Sequence, residues 1–262
     1  MDHAAYDSLF DLTGRTAIVT GGTRGIGLAI AEGFICAGAN VVVASRKADV
    51  CAEVEAHLNV LAAGGAKGNR ALGVATHMGD VDALAALVGT TVSHFGGVGI
   101  VVNNAATALA LPVGEFTLDA WDKQFEVNLR GPVFLTQEAL PHLEQSGHGS
   151  VINVVSAGAF LANPNGAMYG AAKAGLMSFT RSFGSALALR GVRVNALAPG
   201  TVDTQMVRNN SPEAQASMAA ASPMKRAASA DEMVGPALLL ASDAGSFMTG
   251  QVILADGGLT PH

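Results

Sequence analysis

The sequence is poor in cysteine, aromatic residues and charged residues. Of its 262 residues, two are cysteine, 5% are aromatic and 14% are charged. Cys36 and Cys51 fall in separate predicted helical stretches, and we expect both to be reduced apolar fillers. This argues against a disulfide-built secreted domain and favours the cytoplasm. No uncharged apolar run is long enough to span a membrane, so no membrane partner is expected.

The chain also lacks a basic stripe and a cluster of metal ligands. Its net charge of −6 is spread along the sequence, which argues against a nucleic acid partner. The seven histidines have no metal-ligand spacing, so no metal centre is predicted. Half of the residues are hydrophobic, which is enough to bury a large core in one domain.

Apolar runs of strand length alternate with helical stretches along the whole chain. This alternation predicts a single α/β domain, residues 1–262, with a doubly wound parallel sheet of seven strands. The lead-in, residues 1–13, is expected to be an exposed N-terminal arm. The predicted strands are 16–20, 41–45, 71–77, 100–104, 151–156, 192–197 and 251–255.

A glycine-rich segment, residues 21–27 and here called the glycine turn, joins the first predicted strand to a helical stretch. Glycine lets a backbone approach a pyrophosphate closely, and N–H groups at a helix N-terminus attract anions. The next strand completes a βαβ unit, so a dinucleotide is predicted here, with a plain tight turn as the alternative. The residues expected to contact it are Gly21, Thr23, Arg24, Gly25, Ile26 and Gly27.

The end of the second predicted strand lacks the acid that would bind a ribose 2′-hydroxyl. Ser45, Arg46 and Lys47 stand there, and Arg24 adds a second guanidinium. Guanidinium groups offer forked donors to phosphate oxygens, and a serine does not repel them. NADP(H) is therefore the predicted cofactor, in preference to NAD(H). The alternative interpretation is that these are solvated surface cations.

Tyr169 and Lys173 are four residues apart in an Ala-rich predicted helix, so both side chains leave the same face. A nearby ammonium favours the phenolate and is expected to lower the pKa of Tyr169 from its usual value of about 10. Such a phenol can exchange a proton with a substrate oxygen. Ser156 ends a predicted strand, and open α/β sheets bind ligands at that end. An ordinary helix-surface pair is the alternative.

Further motifs are spread from the first strand to the C-terminal region. They are a TGxxxGxG pattern from Thr20 to Gly27, Asn103-Asn104-Ala105, Ser156 with Tyr169-x-x-x-Lys173, Pro199-Gly200, and Asp256-Gly257-Gly258. With these, nearly the whole chain resembles the short-chain dehydrogenase/reductase family. The resemblance implies a Rossmann-like fold, a dimer or tetramer, and hydride transfer between a nicotinamide and a ketone or secondary alcohol.

The resemblance also implies roles for single residues. Tyr169 would be the general acid/base, and Ser156 would polarise the substrate carbonyl. Lys173 would also bind the nicotinamide ribose, and Asn128 would hold a water that links Lys173 to solvent. A core Asn with satisfied hydrogen bonds is the alternative for Asn128. Further residues expected at the cofactor are His77, Met78, Asn104, Ala105, Ala106, Pro199, Gly200, Val202 and Thr204.

The chain departs from the family pattern at three positions. His77 stands where an Asp usually binds the adenine amino group, so the adenine contact is expected to differ. Ala106 replaces a Gly and is expected to reduce the room near the cofactor ribose or the substrate. Gly99 replaces an Asp before the fourth strand, and we attach no function to it. None of these changes removes a predicted catalytic group.

The segment 201–226 is rich in methionine and is interrupted by prolines. We interpret it as a mobile substrate cap, with Met206 among the adaptable side chains that meet the substrate. Phe160 and Met168 would form the opposite wall if the resemblance holds, which favours a mostly apolar carbonyl compound such as a 3-oxoacyl thioester. The alternative is that the methionines only fill gaps in the core.

Other functions stay open on the sequence alone. They are an NAD-dependent alcohol dehydrogenase of the same family, a non-catalytic NADP(H) sensor, and a non-redox dehydratase or epimerase. The set of Ser156, Tyr169 and Lys173 argues against the sensor, because a sensor needs no activated phenol. Two long predicted helices, 119–145 and 169–190, would form a subunit contact if an apolar stripe on them were exposed.

Overall fold

Seven parallel strands form one sheet in the computed structural model, which describes residues 6, 8–65 and 67–260. The strand order is β3-β2-β1-β4-β5-β6-β7, which confirms the predicted doubly wound fold. The order reverses between β1 and β4, and such a switch point opens a crevice at the carboxyl ends of the strands. The strands are β1 Thr16–Thr20, β2 Asn40–Ser45, β3 Ala71–Ala75, β4 Ile100–Asn103, β5 Gly149–Val154, β6 Val192–Pro199 and β7 Val252–Ala255.

Helices cover both faces of the sheet, because the central strands are apolar on both sides. In β1, Val19 packs with Phe34 on one face, whereas Ile18 packs with Leu135 on the other. Successive strand residues point to opposite faces, so each central strand contributes side chains to the hydrophobic core on both sides of the sheet. The helices are α1 Gly25–Cys36, α2 Ala48–Gly64, α3 Val81–Phe95, α4 Leu118–Phe125, α5 Gly131–Gln145, α6 Ala167–Leu187, α7 Gln205–Arg208, α8 Pro212–Ala221 and α9 Val234–Ala241.

The predicted long helix 119–145 is interrupted by a π turn, Glu126–Arg130, between α4 and α5. Pro132 has no N–H group, so it cannot donate the usual helical hydrogen bond to the carbonyl of Asn128. The wider turn is closed by the N–H of Gly131, which donates to the carbonyl of Glu126. The backbone around Asn128 therefore departs from α-helical geometry, as often happens at functional sites.

The N-terminal lead-in is less exposed than predicted. Leu12 is fully buried, and its N–H donates to the carbonyl of Ala37 at 2.9 Å. The carbonyl of Leu9 accepts from the N–H of Ala244 at 3.0 Å. Leu12 therefore departs from the predicted exposed arm over 1–13, whereas Ser8, Phe10 and Thr13 are exposed. Residues 1–5 and 7 lie outside the described part of the chain.

Candidate active site

The glycine turn is joined to the end of β4 by the side chains of Thr20 and Asn104. The amide of Asn104 donates to the carbonyls of Thr20 at 2.9 Å and Gly21 at 3.2 Å. In return, the Thr20 hydroxyl accepts from the N–H groups of Asn104 at 3.0 Å and Ala105 at 3.1 Å. These bonds cross the switch point and fix the turn against the Asn-Asn-Ala motif.

The close packing of the glycine turn requires glycine at two positions. A Cβ atom on Gly27 would lie 2.3 Å from the carbonyl oxygen of Gly21 and 2.4 Å from the amide nitrogen of Asn104. Gly21 itself has φ +62°, a backbone conformation that other residues rarely adopt. No side chain among the described residues caps the N-terminus of α1. The first-turn N–H groups of α1 are thus available to an anion, and the turn fits a pyrophosphate.

The segment after β6 lies across the glycine turn, near the position predicted for the nicotinamide end of the cofactor. A Cβ atom on Gly25 would lie 3.1 Å from the Thr204 side chain. Val202 is buried and pairs with Ala228 in an isolated parallel bridge. Gly200 packs so closely on Asp256 that a Cβ atom would lie 2.7 Å from the Asp256 Cα. The backbone at Asp256 therefore packs directly against the start of the 199–204 segment.

The predicted phosphate-binding cations are open to ligands. Arg24, Arg46 and Lys47 are exposed, and none has an ion pair with another described residue. Thr23, Gly25 and Ile26 are half-buried, as is Ser45 at the end of β2. A single surface cation is weak evidence for a ligand, because exposed ion pairs contribute little free energy. Here the pairing of β1 with β2 brings Arg46 and Lys47 close to the glycine turn, which itself contains Arg24. The arrangement fits a 2′-phosphate.

The two residues predicted to meet adenine behave differently. His77 is exposed, and its Nδ1 accepts from the N–H of Gly79 at 3.1 Å. Met78 is buried and packs in the core with Leu84. The carbonyl of Gly79 accepts from Arg130 at 2.7 Å, which ties this loop to the π turn. Of the two side chains, only that of His77 is accessible to a ligand.

Ser156, Tyr169 and Lys173 come together beside the end of β5. The Lys173 ammonium is buried, donates to the carbonyl of Val154 at 2.7 Å, and lies 5.9 Å from the centroid of the Tyr169 ring. The Ser156 hydroxyl accepts from the N–H of Gly158 at 3.0 Å and also hydrogen-bonds to Tyr169. The helix spacing predicted from sequence therefore places a hydroxyl, a phenol and an ammonium in one site.

Burial sets the pKa values of both ionisable groups. Desolvation lowers the pKa of Lys173 to about 8 and raises the pKa of Tyr169 above its usual value. The hydrogen bond with Ser156 lowers the pKa of Tyr169 but does not outweigh burial. The expected fall in the Tyr169 pKa is thus wrong here, because Lys173 bonds to the Val154 carbonyl and the phenol is itself desolvated. Tyr169 keeps its proton at neutral pH.

Asn128 is buried within the π turn, and both ends of its amide are engaged. Its Oδ1 accepts from the N–H of Thr107 at 2.9 Å, and its Nδ2 donates to the carbonyl of Thr107 at 2.7 Å. A water bound by Asn128 would therefore use the main-chain carbonyl, whose usual helical partner is absent at Pro132. Gln124, one turn earlier, binds the same loop, although it belongs to none of the sequence motifs. Its spacing of four residues from Asn128 was the available signal.

The predicted substrate residues divide between surface and core. Met206 is 42% exposed, and Met218 and Met224 are exposed as well, so these methionines do not fill core gaps. No residue of α7 or α8 is buried. Phe160 is half-buried against the core cluster that contains Leu176. Met168 is 3% exposed, which does not place it on an open wall as predicted.

Two further findings concern the described part of the chain. In that part, no group of three or more His, Cys, Asp or Glu residues could hold a metal ion. No helix built from the described residues combines the length and the apolar character needed to cross a membrane.

Known proteins are similar to this chain in sequence and in fold over almost its full length. A family model described as enoyl-(acyl carrier protein) reductase matches residues 21–260. The chain is 37% identical to cis-4-hydroxycyclohexanecarboxylate dehydrogenase of Sinomonas cyclohexanicum, with 94% of this chain and 96% of the relative covered. It is 34% identical to 3-oxoacyl-[acyl-carrier-protein] reductase of Synechocystis, with coverages of 95% and 98%.

Solved structures agree with the sequence relatives. A short-chain type dehydrogenase/reductase from Mycobacterium marinum superimposes with a TM-score of 0.89 at 30% identity, covering 97% of this chain and 99% of that one. A Beutenbergia cavernae protein, described as an NAD(P)-dependent gluconate 5-dehydrogenase and solved with NADP at low occupancy, gives a TM-score of 0.87 at 36% identity, with coverages of 96% and 98%. The chain therefore belongs to the short-chain dehydrogenase/reductase family and is an oxidoreductase that acts on alcohol or carbonyl groups.

Proposed function

We propose that this enzyme reduces an apolar ketone with NADPH, using Tyr169 as the proton donor. The observation that carries this proposal is the grouping of Ser156, Tyr169 and Lys173 beside a glycine turn that fits a dinucleotide. The bound nicotinamide would supply the hydride, or accept it in the reverse direction. The residues of the chain would orient the substrate and manage its proton.

The raised pKa of Tyr169 and the lowered pKa of Lys173 support a role in carbonyl reduction. Tyr169 holds its proton at neutral pH and can give it to the oxygen that becomes an alcohol. The Ser156 hydroxyl lies beside it, where it can donate to the substrate carbonyl and polarise it. Lys173, with a pKa of about 8, can return a proton to the phenol after each turnover.

The cofactor preference follows from charge beside the glycine turn. Arg24, Arg46 and Lys47 are free of ion pairs with described residues, and Ser45 stands where an acid would select NAD(H). NADP bound to the Beutenbergia cavernae relative supports the same choice. The adenine would then lie near His77 without the usual carboxylate.

The segments around the catalytic residues are almost free of charge, which favours an apolar substrate. Residues 105–111 and 157–168 contain no Asp, Glu, Lys or Arg. Arg208 at the end of α7 is bound by both carboxylate oxygens of Asp203, at 2.7 and 2.9 Å. The substrate cap 201–226 would close with its exposed methionines over such a molecule. A 3-oxoacyl thioester or another apolar carbonyl compound fits this surface.

The proposal extends to the assembly and the compartment of the enzyme. Leu118, Trp121 and Phe179 are large apolar side chains left exposed on α4 and α6. Exposed apolar side chains on adjacent helices suit a helix-to-helix contact in a dimer or tetramer. The reduced cysteines are consistent with a cytoplasmic enzyme.

The test is NADPH and NADH oxidation at 340 nm against ketones, diketones and 3-oxoacyl thioesters. We expect NADPH to be used with one carbonyl class, and Tyr169→Phe to lower turnover by about 10²- to 10⁴-fold because the proton donor is lost. NADPH binding, followed by its fluorescence, should be retained in Tyr169→Phe.

The cofactor arm uses Arg24→Ala with Arg46→Ala. Loss of two charge-assisted contacts should raise the KM for NADPH by roughly 10-fold or more and leave that for NADH nearly unchanged. An unchanged KM for NADPH would support the NAD-dependent dehydrogenase instead. Tight NADPH binding without turnover in either direction would favour the sensor.

A further inference from the structure

Gln124 is a fully buried amide that lies outside the predicted catalytic set. It occupies α4, four residues before Asn128, so the two side chains leave the helix on one side. Burying an amide is unfavourable unless its donor and acceptor are both bonded. The partners of Gln124 therefore indicate why a polar residue occupies this position.

Gln124 and Asn128 bind one short stretch of backbone. The Oε1 of Gln124 accepts from the N–H of Leu109 at 3.0 Å, and its Nε2 donates to the carbonyl of Thr107 at 2.8 Å. The Nδ2 of Asn128 donates to that same carbonyl at 2.7 Å. The Thr107 carbonyl thus accepts two amide donors, and the backbone between Thr107 and Leu109 is held without forming a helix or strand.

This stretch is the middle of a connecting segment, residues 104–111, which we call the strap. At its start, Asn104 bonds to the glycine turn. At its end, the N–H of Leu111 donates to the carbonyl of Asn165 at 3.0 Å, and Asn165 lies between Ser156 and Tyr169 in the chain. The strap therefore runs from the cofactor side of the site to the predicted substrate side.

We propose that Gln124 is a positioning residue for the substrate: together with Asn128 it fixes Thr107 to Leu109, and through them the wall that the strap forms beside residues 157–165. The effect on turnover rests on the proposed function. The effect on strap order does not, because it depends only on the hydrogen bonds of Gln124.

Gln124→Met keeps the size of the side chain and removes both hydrogen bonds. Two neutral hydrogen bonds correspond to roughly a 10-fold effect, so we expect the KM for the carbonyl substrate to rise about that much. The affinity for NADPH should stay within about twofold, because the Asn104 anchor is intact. Amide exchange at Thr107 and Leu109 should accelerate by at least about 10-fold.

Gln124→Glu separates positioning from packing through its pH dependence. An ionised Glu keeps an acceptor for the Leu109 N–H but has no donor for the Thr107 carbonyl. A carboxyl group buried beside a carbonyl is protonated more readily, and the protonated form regains an O–H donor. The turnover of this variant relative to that of the parent should therefore increase as the pH falls from 8 to 6. Gln124→Met should show no such rise.

The experiment measures hydrogen exchange by mass spectrometry over 104–111, and steady-state kinetics from pH 6 to 8, with exposed Gln145→Met as the matched control. Faster strap exchange in Gln124→Met, a higher substrate KM, and the pH-dependent recovery of Gln124→Glu support the proposal. Unchanged exchange in a folded Gln124→Met protein, or an unchanged substrate KM, overturns it. If Gln124→Met does not fold, a pH-independent ratio for Gln124→Glu overturns it.

Absence of turnover in the parent protein with every carbonyl compound would contradict the proposed function alone. The exchange measurement would still decide whether Gln124 holds the strap.

Discussion

Gly27 has no room for a side chain, because a Cβ atom would meet the Gly21 carbonyl and the Asn104 amide within 2.4 Å. We expect Gly27→Ala to lower the free energy of unfolding by about 1–3 kcal/mol, as overpacking does, and to weaken NADPH binding strongly. Gly89→Ala is the matched control, since nothing lies within 4 Å of its added methyl group. That change, in the interior of α3, should be neutral or stabilise by up to about 1 kcal/mol. Equal effects of the two changes in urea unfolding would contradict the prediction.

The Lys173 ammonium predicts a pH limit for the reaction. Its pKa of about 8 means that the protonated form is lost as the pH rises through that value. If Lys173 returns the proton to Tyr169, kcat for ketone reduction should fall above about pH 8, by about 10-fold per pH unit once the group is deprotonated. The measurement is kcat at saturating NADPH from pH 6 to 10. A flat profile across this range would show that Lys173 does not supply the proton.

The positions of the catalytic side chains are easier to predict from the sequence than their pKa values. The spacing of Tyr169 and Lys173 was enough to place both in one site. The direction of the Tyr169 pKa was not, because it depends on desolvation and on Lys173 bonding to the Val154 carbonyl. Gln124 reads as an ordinary polar helix residue until its partners, Thr107 and Leu109, are known.

The two helices of the proposed substrate cap, α7 and α8, lie at the protein surface. Neither α7 nor α8 buries a residue, while the ends of the segment are pinned at the bridge between Val202 and Ala228. We therefore expect amides 205–221 to exchange faster than those of β2, and NADPH to slow exchange in the cap but not in β2. Hydrogen exchange with and without NADPH measures this. Cap amides as slow as β2 before NADPH is added would refute the mobile cap.

Strands were easier to predict than the irregular turns. The predicted strands match the observed ones within two residues at each end, because β-branched runs such as Val41–Val43 are buried on both faces. The sequence does not predict the π turn, because a proline such as Pro132 is also common in the first turn of an ordinary helix. The burial of Leu12 is not predicted either, because its neighbours Asp11 and Thr13 are polar.

A group of ionisable side chains near the amino ends of the strands links the stability of the protein to pH. The charges of Arg15 and Asp243 act on His148, whose ring lies close to Gly99: a Cβ atom there would lie 2.8 Å from the His148 Nε2. Burial lowers the pKa of His148 below its ordinary value of 6.5, and the Arg15 charge acts in the same direction. Gly99 thus has a structural role that its sequence position did not indicate.

The sign of the pH effect follows from that direction. The unfolded chain takes up the His148 proton more readily, so this contribution to stability is complete above about pH 6.5 and is lost as the pH falls below it. His148→Gln should therefore lose less free energy of unfolding than the parent between pH 7.5 and pH 5. Urea unfolding at both values measures the difference, with His142→Gln as the control. An equal loss in the His148→Gln variant and the parent would refute the assignment.

Asn104 bonds to the carbonyls of Thr20 and Gly21, which lie 84 and 83 positions earlier in the sequence. A chain under synthesis emerges from its N-terminus, so the complete βαβ unit is exposed well before Asn104 follows. The nascent glycine turn therefore lacks the side chain that binds the carbonyls of Thr20 and Gly21. Dinucleotide binding by a ribosome-bound chain should begin only after β4 has emerged. The onset of binding would therefore report that the two sides of the switch point have assembled.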